Sequence, residues 1–273
     1  MCGVIITETE SNPEPGGPHT VSLRIAMLII SIPAFNEAPT IGLLLWRIRK
    51  VFEESPREYE IIVFDDGSSD STAETLKPYA DVLPLTVLRS EEHRGYGAAL
   101  DALARAAAKR TRYPRRDAMV FMQADFTDQP EHLPELARRF DGGADLVIAE
   151  STGAAGPVPT PVRRLRRIAP LLVRPFVKLP GVSDPFGTFR LIRMALVRDL
   201  VRAAGESPIT HANGWAANVE LLLKVAPLAR RMETVALGAR YDLRPRETRV
   251  RALADAMDLY RFSRAQRARR VTA

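Results

Sequence analysis

The chain has 273 residues, 46% of them hydrophobic and 26% charged, enough to bury the core of one large α/β domain. Its one cysteine, Cys2, excludes a disulfide framework, and no apolar run approaches the roughly 20 residues that span a bilayer. A net charge of +6 and a pI near 9.8 point to a polyanionic partner: nucleic acid, an anionic membrane or a phosphorylated substrate.

Residues 1–22, with Pro13, Pro15, Gly16, Gly17 and Pro18, read as a flexible tail without the basic start and long apolar centre of a secretory signal. The expectation is a protein that begins in the cytosol. Leu23–Ile32 predicts a first strand, running into Pro33-Ala34-Phe35-Asn36-Glu37. Ala38–Phe52 then repeats Ile41, Leu44, Leu45 and Ile48 at helical spacing. Tyr59–Phe64 is a second strand that ends at Asp65-Asp66-Gly67-Ser68-Ser69-Asp70, with a helix from about Ser71. Leu85–Leu88 is a third, followed by His93-Arg94-Gly95-Tyr96-Gly97 and an alanine-rich helix over 98–110. The fourth, Ala118–Met122, ends in Gln123-Ala124-Asp125-Phe126-Thr127-Asp128. Pro130 and Glu131 suit the first turn of the next helix, and Asp145–Ala149 is a fifth strand.

Continuously apolar strands alternating with helices predict an α/β fold, a mostly parallel sheet covered on both faces. Four strands carry polar residues or glycine at their carboxyl ends, the edge where open α/β sheets bind ligands. The second half is less regular. Residues 151–161, rich in Gly, Pro and Thr, read as a mobile loop. Val162–Val177 mixes arginines with Leu165, Ile168, Leu171, Leu172 and Phe176. Helices are predicted near 194–204 and 214–226, with a last strand at Val235–Tyr241. A basic amphipathic helix over 249–273 carries Leu253, Met257, Tyr260 and Phe262. Helices with one apolar and one basic face suit a membrane surface.

Two roles compete for Asp125 and Asp128: capping their turn, or holding a hard divalent cation against substrate phosphates. For Asp65 and Asp66 the choice lies between a turn and contact with a ribose hydroxyl or base N–H; Asp70 reads as a helix cap. Gly95-Tyr96-Gly97 before a helix would bring backbone N–H groups near a phosphate. The full Gly-x-Gly-x-x-Gly spacing and a Gly-Lys-Ser/Thr P-loop are both missing, which argues against a dinucleotide dehydrogenase and a P-loop NTPase. His93 and His211 stand alone and receive no role. Nucleic acid is not an expected partner, because the basic segments lack interleaved aromatics and a helix-turn-helix or zinc signature.

Taken in order, Pro33-Ala34-Phe35-Asn36-Glu37, Asp65-Asp66-Gly67-Ser68-Ser69-Asp70, Arg94-Gly95-Tyr96-Gly97-Ala98 and Ala124-Asp125 resemble family 2 glycosyltransferases of the GT-A fold. The likeness is to the dolichol- and polyprenol-phosphate mannosyl- or glucosyltransferase group. It extends to Asp184-Pro185-Phe186-Gly187-Thr188-Phe189-Arg190 and to Asn218-Val219-Glu220-Leu221-Leu222, so that a GT-A domain is expected over residues 23–248. The resemblance implies an inverting hexosyltransferase that uses a nucleotide sugar, polyprenyl or dolichyl phosphate, and Mg²⁺ or Mn²⁺ at the cytosolic membrane face. It implies donor contacts from Pro33, Phe35, Glu37, Asp65, Asp66, Arg94, Gly95, Ala124 and Asp125. Metal contacts would come from Asp125, Gln123 and Asp128. Arginines bind phosphate bidentately, which makes Arg166, Arg167, Arg190 and Arg249 the candidates for the acceptor phosphate. Asp125, Arg190 and Asp184 are the catalytic candidates.

Three positions depart from the family pattern. Gln123 stands where an Asp-x-Asp motif has its first carboxylate, and Thr127 replaces a glutamine. A late Gly-x-Ser-Lys element appears as Arg246-Glu247-Thr248-Arg249. Two other readings compete: transfer to a soluble or protein hydroxyl with Asp184 as base, and a non-catalytic module for nucleotide sugars or anionic lipids.

Overall fold

A computed structural model describes residues 26–242 and 248–271. The tail expected over 1–22, residues 23–25 of the expected first strand, and Arg246 and Glu247 lie outside the described residues. Seven strands form one sheet: β1 (Leu28–Ala34), β2 (Tyr59–Asp66), β3 (Leu85–Ser90), β4 (Ala118–Phe121), β5 (Leu146–Ala155), β6 (Arg190–Arg193) and β7 (Met232–Arg240), in the order β3-β2-β1-β4-β6-β5-β7. β3, β2, β1 and β4 are mutually parallel; β6 runs antiparallel to both β4 and β5, and β7 is parallel to β5. Every residue of β1 is buried, as an apolar central strand covered on both faces requires.

α1 (Ala38–Glu54), α2 (Thr72–Ala80) and α4 (Leu133–Asp141) cover one face. Ile41, Leu44, Leu45 and Ile48 of α1 pack under the sheet with Leu136 and Phe140 of α4, each fully buried side chain contributing about 1.5–3 kcal/mol. The other face takes α3 (Tyr96–Arg110), α6 (Met194–Ala204) and α7 (Gly214–Val225). Alanines at 99, 104 and 107 let α3 lie close to the sheet. α5 (Thr160–Val173) and α8 (Ala252–Val271) pack together against α7 around Leu165, Ala169, Val173, Val219 and Leu259.

Two features depart from the expected strands. β5 does not stop at Ala149: it continues to Ala155, paired with β7 as far as Ala155–Arg240, so much of the expected loop is ladder. Backbone pairing holds this stretch, and its small side chains give no apolar signal. β6 has no counterpart among the expected strands, being four residues with arginine at both ends. In α8 the inward face is Ala256, Leu259 and Ser263, whereas Leu253, Met257 and Tyr260 are exposed. No helix among the described residues is long and apolar enough to cross a membrane.

Candidate active site

The parallel strands aim their carboxyl ends at one edge of the sheet. β1 delivers Pro33 to Glu37 there, β2 Asp65 and Asp66, β4 Gln123 to Asp128, and β5 Glu150. Because β6 runs against β4, with Arg190 opposite Phe121, the residues that precede it, Asp184 to Phe189, reach the same edge. A cavity of about 450 Å³ follows this rim, lined among others by Phe35, Glu37, Asp66, Asp125, Arg166 and Asp184.

At one end two turns are laced together. Asn36 takes the left-handed conformation, with φ of 50°, which asparagine tolerates. Its Oδ1 accepts from the Ser69 amide at 2.8 Å, and its own amide donates to Ser68 Oγ at 2.8 Å. The cap position of α2 falls to Ser71 and not to Asp70; the Asp70 carboxylate instead ties two helix starts together, accepting from Thr72 N of α2 and from Ala38 N of α1. Glu37, only 3% exposed, accepts from Thr40 Oγ1 and from Arg249 Nη1 at 3.2 Å. Arg249 also donates to the Asn36 carbonyl, and its guanidinium lies 5.2 Å from the Phe35 ring centre. Phe35 stacks on His93 with centroids 3.9 Å apart.

The two adjacent acids of β2 separate in role. Asp66 lines the cavity and accepts from Arg94 N and Gly95 N at 2.9 and 2.8 Å, with His93 Nδ1 2.9 Å away. Asp65 is sealed behind it, accepting from Ser68 N and facing Arg89 Nε at 3.5 Å. Gly67, at φ of 69°, permits the turn: a Cβ would sit 2.6 Å from the Glu92 carbonyl carbon. The amides of Gly95 and Gly97 do not await a phosphate. Gly95 N serves Asp66, and Gly97 N donates to Asn213 Oδ1 at 3.1 Å. The glycines instead make room for the segment before α7; a Cβ on Gly97 would lie 2.2 Å from the Ala212 carbonyl oxygen. Arg94 is exposed and Ala124 belongs to the core, and neither is among the cavity's lining residues.

Gln123, Asp125 and Asp128 all line the cavity. Asp125 Oδ1 accepts from Thr127 N, and Asp128 Oδ2 from Gln123 N, so both acids also brace their turn. Phe126 between them has φ of 64°, a costly conformation for a bulky residue and one that clusters at functional sites. Gln123 Nε2 donates to Thr188 Oγ1 at 2.6 Å, which with Tyr96 and Asn218 forms a polar network in the cavity wall. Burial pushes the Asp128 carboxyl up to about 7, and the neighbouring Asp125 adds to the effect. A carboxyl raised in the native state binds its proton more tightly folded than unfolded, so its burden on stability grows as pH rises from about 4 to about 7. Asp128→Asn keeps an acceptor for Gln123 N and removes the titration. In chelator, the variant is expected to melt about 2–4 °C above the parent at pH 8, equivalent to about 1 kcal/mol after allowance for partial exposure. The gap should close at pH 4; a pH-independent gap in calorimetry would refute the assignment.

The arginines expected to meet one phosphate are dispersed. Arg166 lines the cavity, 3.6 Å from Asp184 Oδ2, and its Nε is buried without a hydrogen-bond partner. Arg167 is exposed and turned from the cavity's lining. Arg190 is fully buried, giving Nη1 to the Asn218 carbonyl and Nη2 to the Pro185 carbonyl, each at 2.6 Å. Burial lowers its pKa to about 10, so it stays charged at neutral pH, but it clamps the cavity wall rather than facing into it. Arg249 sits at the Glu37 end.

Sequence reasoning missed Glu150, whose position just past an apolar strand was the available signal. Its carboxylate accepts from Ser183 N, Ser183 Oγ and Asp184 N, holding the turn that carries Asp184. Glu150→Ala is expected to lower kcat about tenfold with donor KM little changed, because misplaced groups cost rate more than ground-state binding; equal losses in both would contradict this. Glu220, for its part, accepts from His211 N and Ala212 N and so supports the segment that presents Asn213.

Residues 29–201 match the family described as "Glycosyl transferase family 2". The chain belongs to that family. Among curated relatives, a bactoprenol glucosyl transferase of Shigella phage SfX is 28% identical over 177 residues, 62% of this chain and 53% of that protein. An undecaprenyl-phosphate 4-deoxy-4-formamido-L-arabinose transferase of Edwardsiella ictaluri (strain 93-146) is 30% identical over 123 residues, 45% of this chain and 36% of that protein. The chain thus spans about half the length, or less, of these relatives. Among solved structures, glucosyl-3-phosphoglycerate synthase from Mycobacterium tuberculosis in complex with Mn²⁺, UDP and glucosyl-3-phosphoglycerate matches with a TM-score of 0.59 at 22% identity. That match covers 94% of this chain and 85% of that one. S. aureus TarS 1–349 in complex with UDP-GlcNAc matches at 0.58 and 19%, covering 89% and 66%. The GT-A fold expected for this family 2 member is borne out.

Proposed function

We propose that the chain is an inverting glycosyltransferase that moves a hexose from a nucleotide sugar to a polyprenyl phosphate. The observation that carries this reading is the shared cavity, in which buried acids from three strand ends face Arg166 and Asp184. Phe35, Glu37 and Asp66 hold the nucleoside at the Arg249 end. Gln123, Asp125 and Asp128 fit Mg²⁺ or Mn²⁺ by chemistry, since all offer oxygen donors, and Gln123 has its amide nitrogen committed to Thr188. No group of three or more His, Cys, Asp or Glu suited to a metal occurs among the described residues. That suits a cation shared with a diphosphate rather than caged by protein alone. Bound there, it compensates the charge of the departing nucleoside diphosphate.

Arg166 receives the acceptor phosphate, whose oxygen is ionised at neutral pH and attacks the anomeric carbon with little need of a base. Asp184 accepts from Phe186 N on one oxygen and faces Arg166 with the other, so both oxygens already have partners, which disfavours the hydroxyl-acceptor reading. Exposed Leu171 on α5 and Leu253, Met257 and Tyr260 on α8, with the basic residues of both helices, support peripheral docking on the inner face of a membrane. Incubating the chain with radiolabelled nucleotide sugars, Mn²⁺ and a panel of polyprenyl phosphates and soluble acceptors tests the reading. Label in the lipid phase is expected; transfer only to soluble hydroxyls, or none beside an active control enzyme, would overturn it.

A further inference from the structure

We propose that a second cavity seats the isoprenoid chain of the acceptor; the inference rests on the lipid-phosphate reading above. The cavity, of about 560 Å³, has walls of Val173, Val177, Leu179, Val182 and Phe186. Phe186 lines both cavities, and Arg190 holds the adjoining Pro185 carbonyl. α5 connects the two. Arg166, at the first cavity, is followed on the same face of α5 by Pro170 and Val173 at the second, and Arg174 and Val177 continue that wall just past the end of the helix. Arg166 and Val173 are seven residues apart, about 10 Å along a helix.

This arrangement selects among ligands. The unpartnered Arg166 Nε calls for an anion acceptor, and the adjoining walls call for an apolar chain joined to that anion within a short reach. A phosphorylated sugar acid would leave the second cavity wet and unfilled. A phosphodiester lipid such as phosphatidylglycerol carries its phosphate esterified on both sides and offers no terminal oxygen for attack. An isoprenyl monophosphate has both a terminal phosphate and a chain attached directly to it. Arg174 and Lys178, both exposed and both lining this cavity, mark the end where the chain passes to an anionic lipid surface.

The test uses the full chain with isoprenyl phosphates of one isoprene unit and of three or more. The half-saturating concentration is expected to fall about tenfold or more between the short and the longer acceptors, as apolar burial requires, and Val173→Trp should erase that difference. Since a tryptophan in a packed wall can unfold a protein, a second measurement uses Val182→p-benzoylphenylalanine in the loop. Irradiation should crosslink it to a three-isoprene phosphate, detected by mass spectrometry. Saturation independent of chain length, or crosslinking to phosphatidylglycerol vesicles but not to the isoprenyl phosphate, would overturn the seat while leaving the lipid-phosphate reading intact. Failure of the parent chain to glycosylate any isoprenyl phosphate would remove both.

Discussion

Asp125→Asn is expected to reduce kcat for sugar transfer by about 100-fold or more with the fold unharmed. The side chain is 3% exposed and lines the cavity at the end of β4. Its Oδ1 accepts from Thr127 N at 3.1 Å, a bond an asparagine carbonyl can keep. The substitution therefore leaves the turn and the strained Phe126 in place and removes one negative charge from the residues that would hold a cation. Losing one preorganised electrostatic contact at developing charge typically costs about 100- to 1000-fold. Steady-state kinetics across a Mn²⁺ titration, with melting curves alongside, would check it. A loss below threefold at saturating Mn²⁺ would reduce Asp125 to a turn cap.

Arg190→Ala should instead lower stability, by about 3 kcal/mol or more. Two charge-assisted hydrogen bonds, to the buried Asn218 carbonyl and the half-buried Pro185 carbonyl, are lost, each worth about 1.5–3 kcal/mol, and a void opens beside Phe121 at the start of β6. In a chain of this size that corresponds to roughly 6–12 °C in Tm. Arg190→Lys should recover only part of this, because an ammonium cannot fork to the Asn218 and Pro185 carbonyls together. If Arg190 bound the acceptor phosphate, Arg190→Ala would raise acceptor KM with Tm unchanged. Calorimetry and acceptor kinetics on the same sample separate the two.

The contrast between these residues marks how far the sequence can be read. Strands β1, β2 and β4 are legible because each carries an apolar run that stops at polar residues, and parallel pairing of such strands brings Glu37, Asp66 and Asp125 to one edge. Arg190 does lie at that edge, but as a structural clamp and not as a phosphate ligand, because a motif position does not say whether a guanidinium faces outward or inward. The same limit applies to Gly95 and Gly97, whose lack of side chains accommodates the segment before α7 rather than a ligand. Arg166 and Arg167 are neighbours in sequence, and only helical phase decides which one reaches the cavity. Glu150 and the far half of β5 escape a reading of local composition because long-range pairing with β7 makes that stretch a strand. Asp128 is recognisable as an acid of the site, but its affinity for a proton follows from burial that no spacing reveals.

The reversed direction of β6 has a consequence for how such a protein can diversify. A forward strand would present the stretch that follows it; the backward one presents the stretch that precedes it. Under the proposed function, the groups offered to the nucleotide come mainly from the passage through β4, with Arg249 added from beyond β7, whereas the opposite wall of the cleft is built separately, between β5 and β6. Exchanging residues 156–189 for those of another member should retarget which molecule is glycosylated while the sugar-nucleotide preference travels unchanged with the first half.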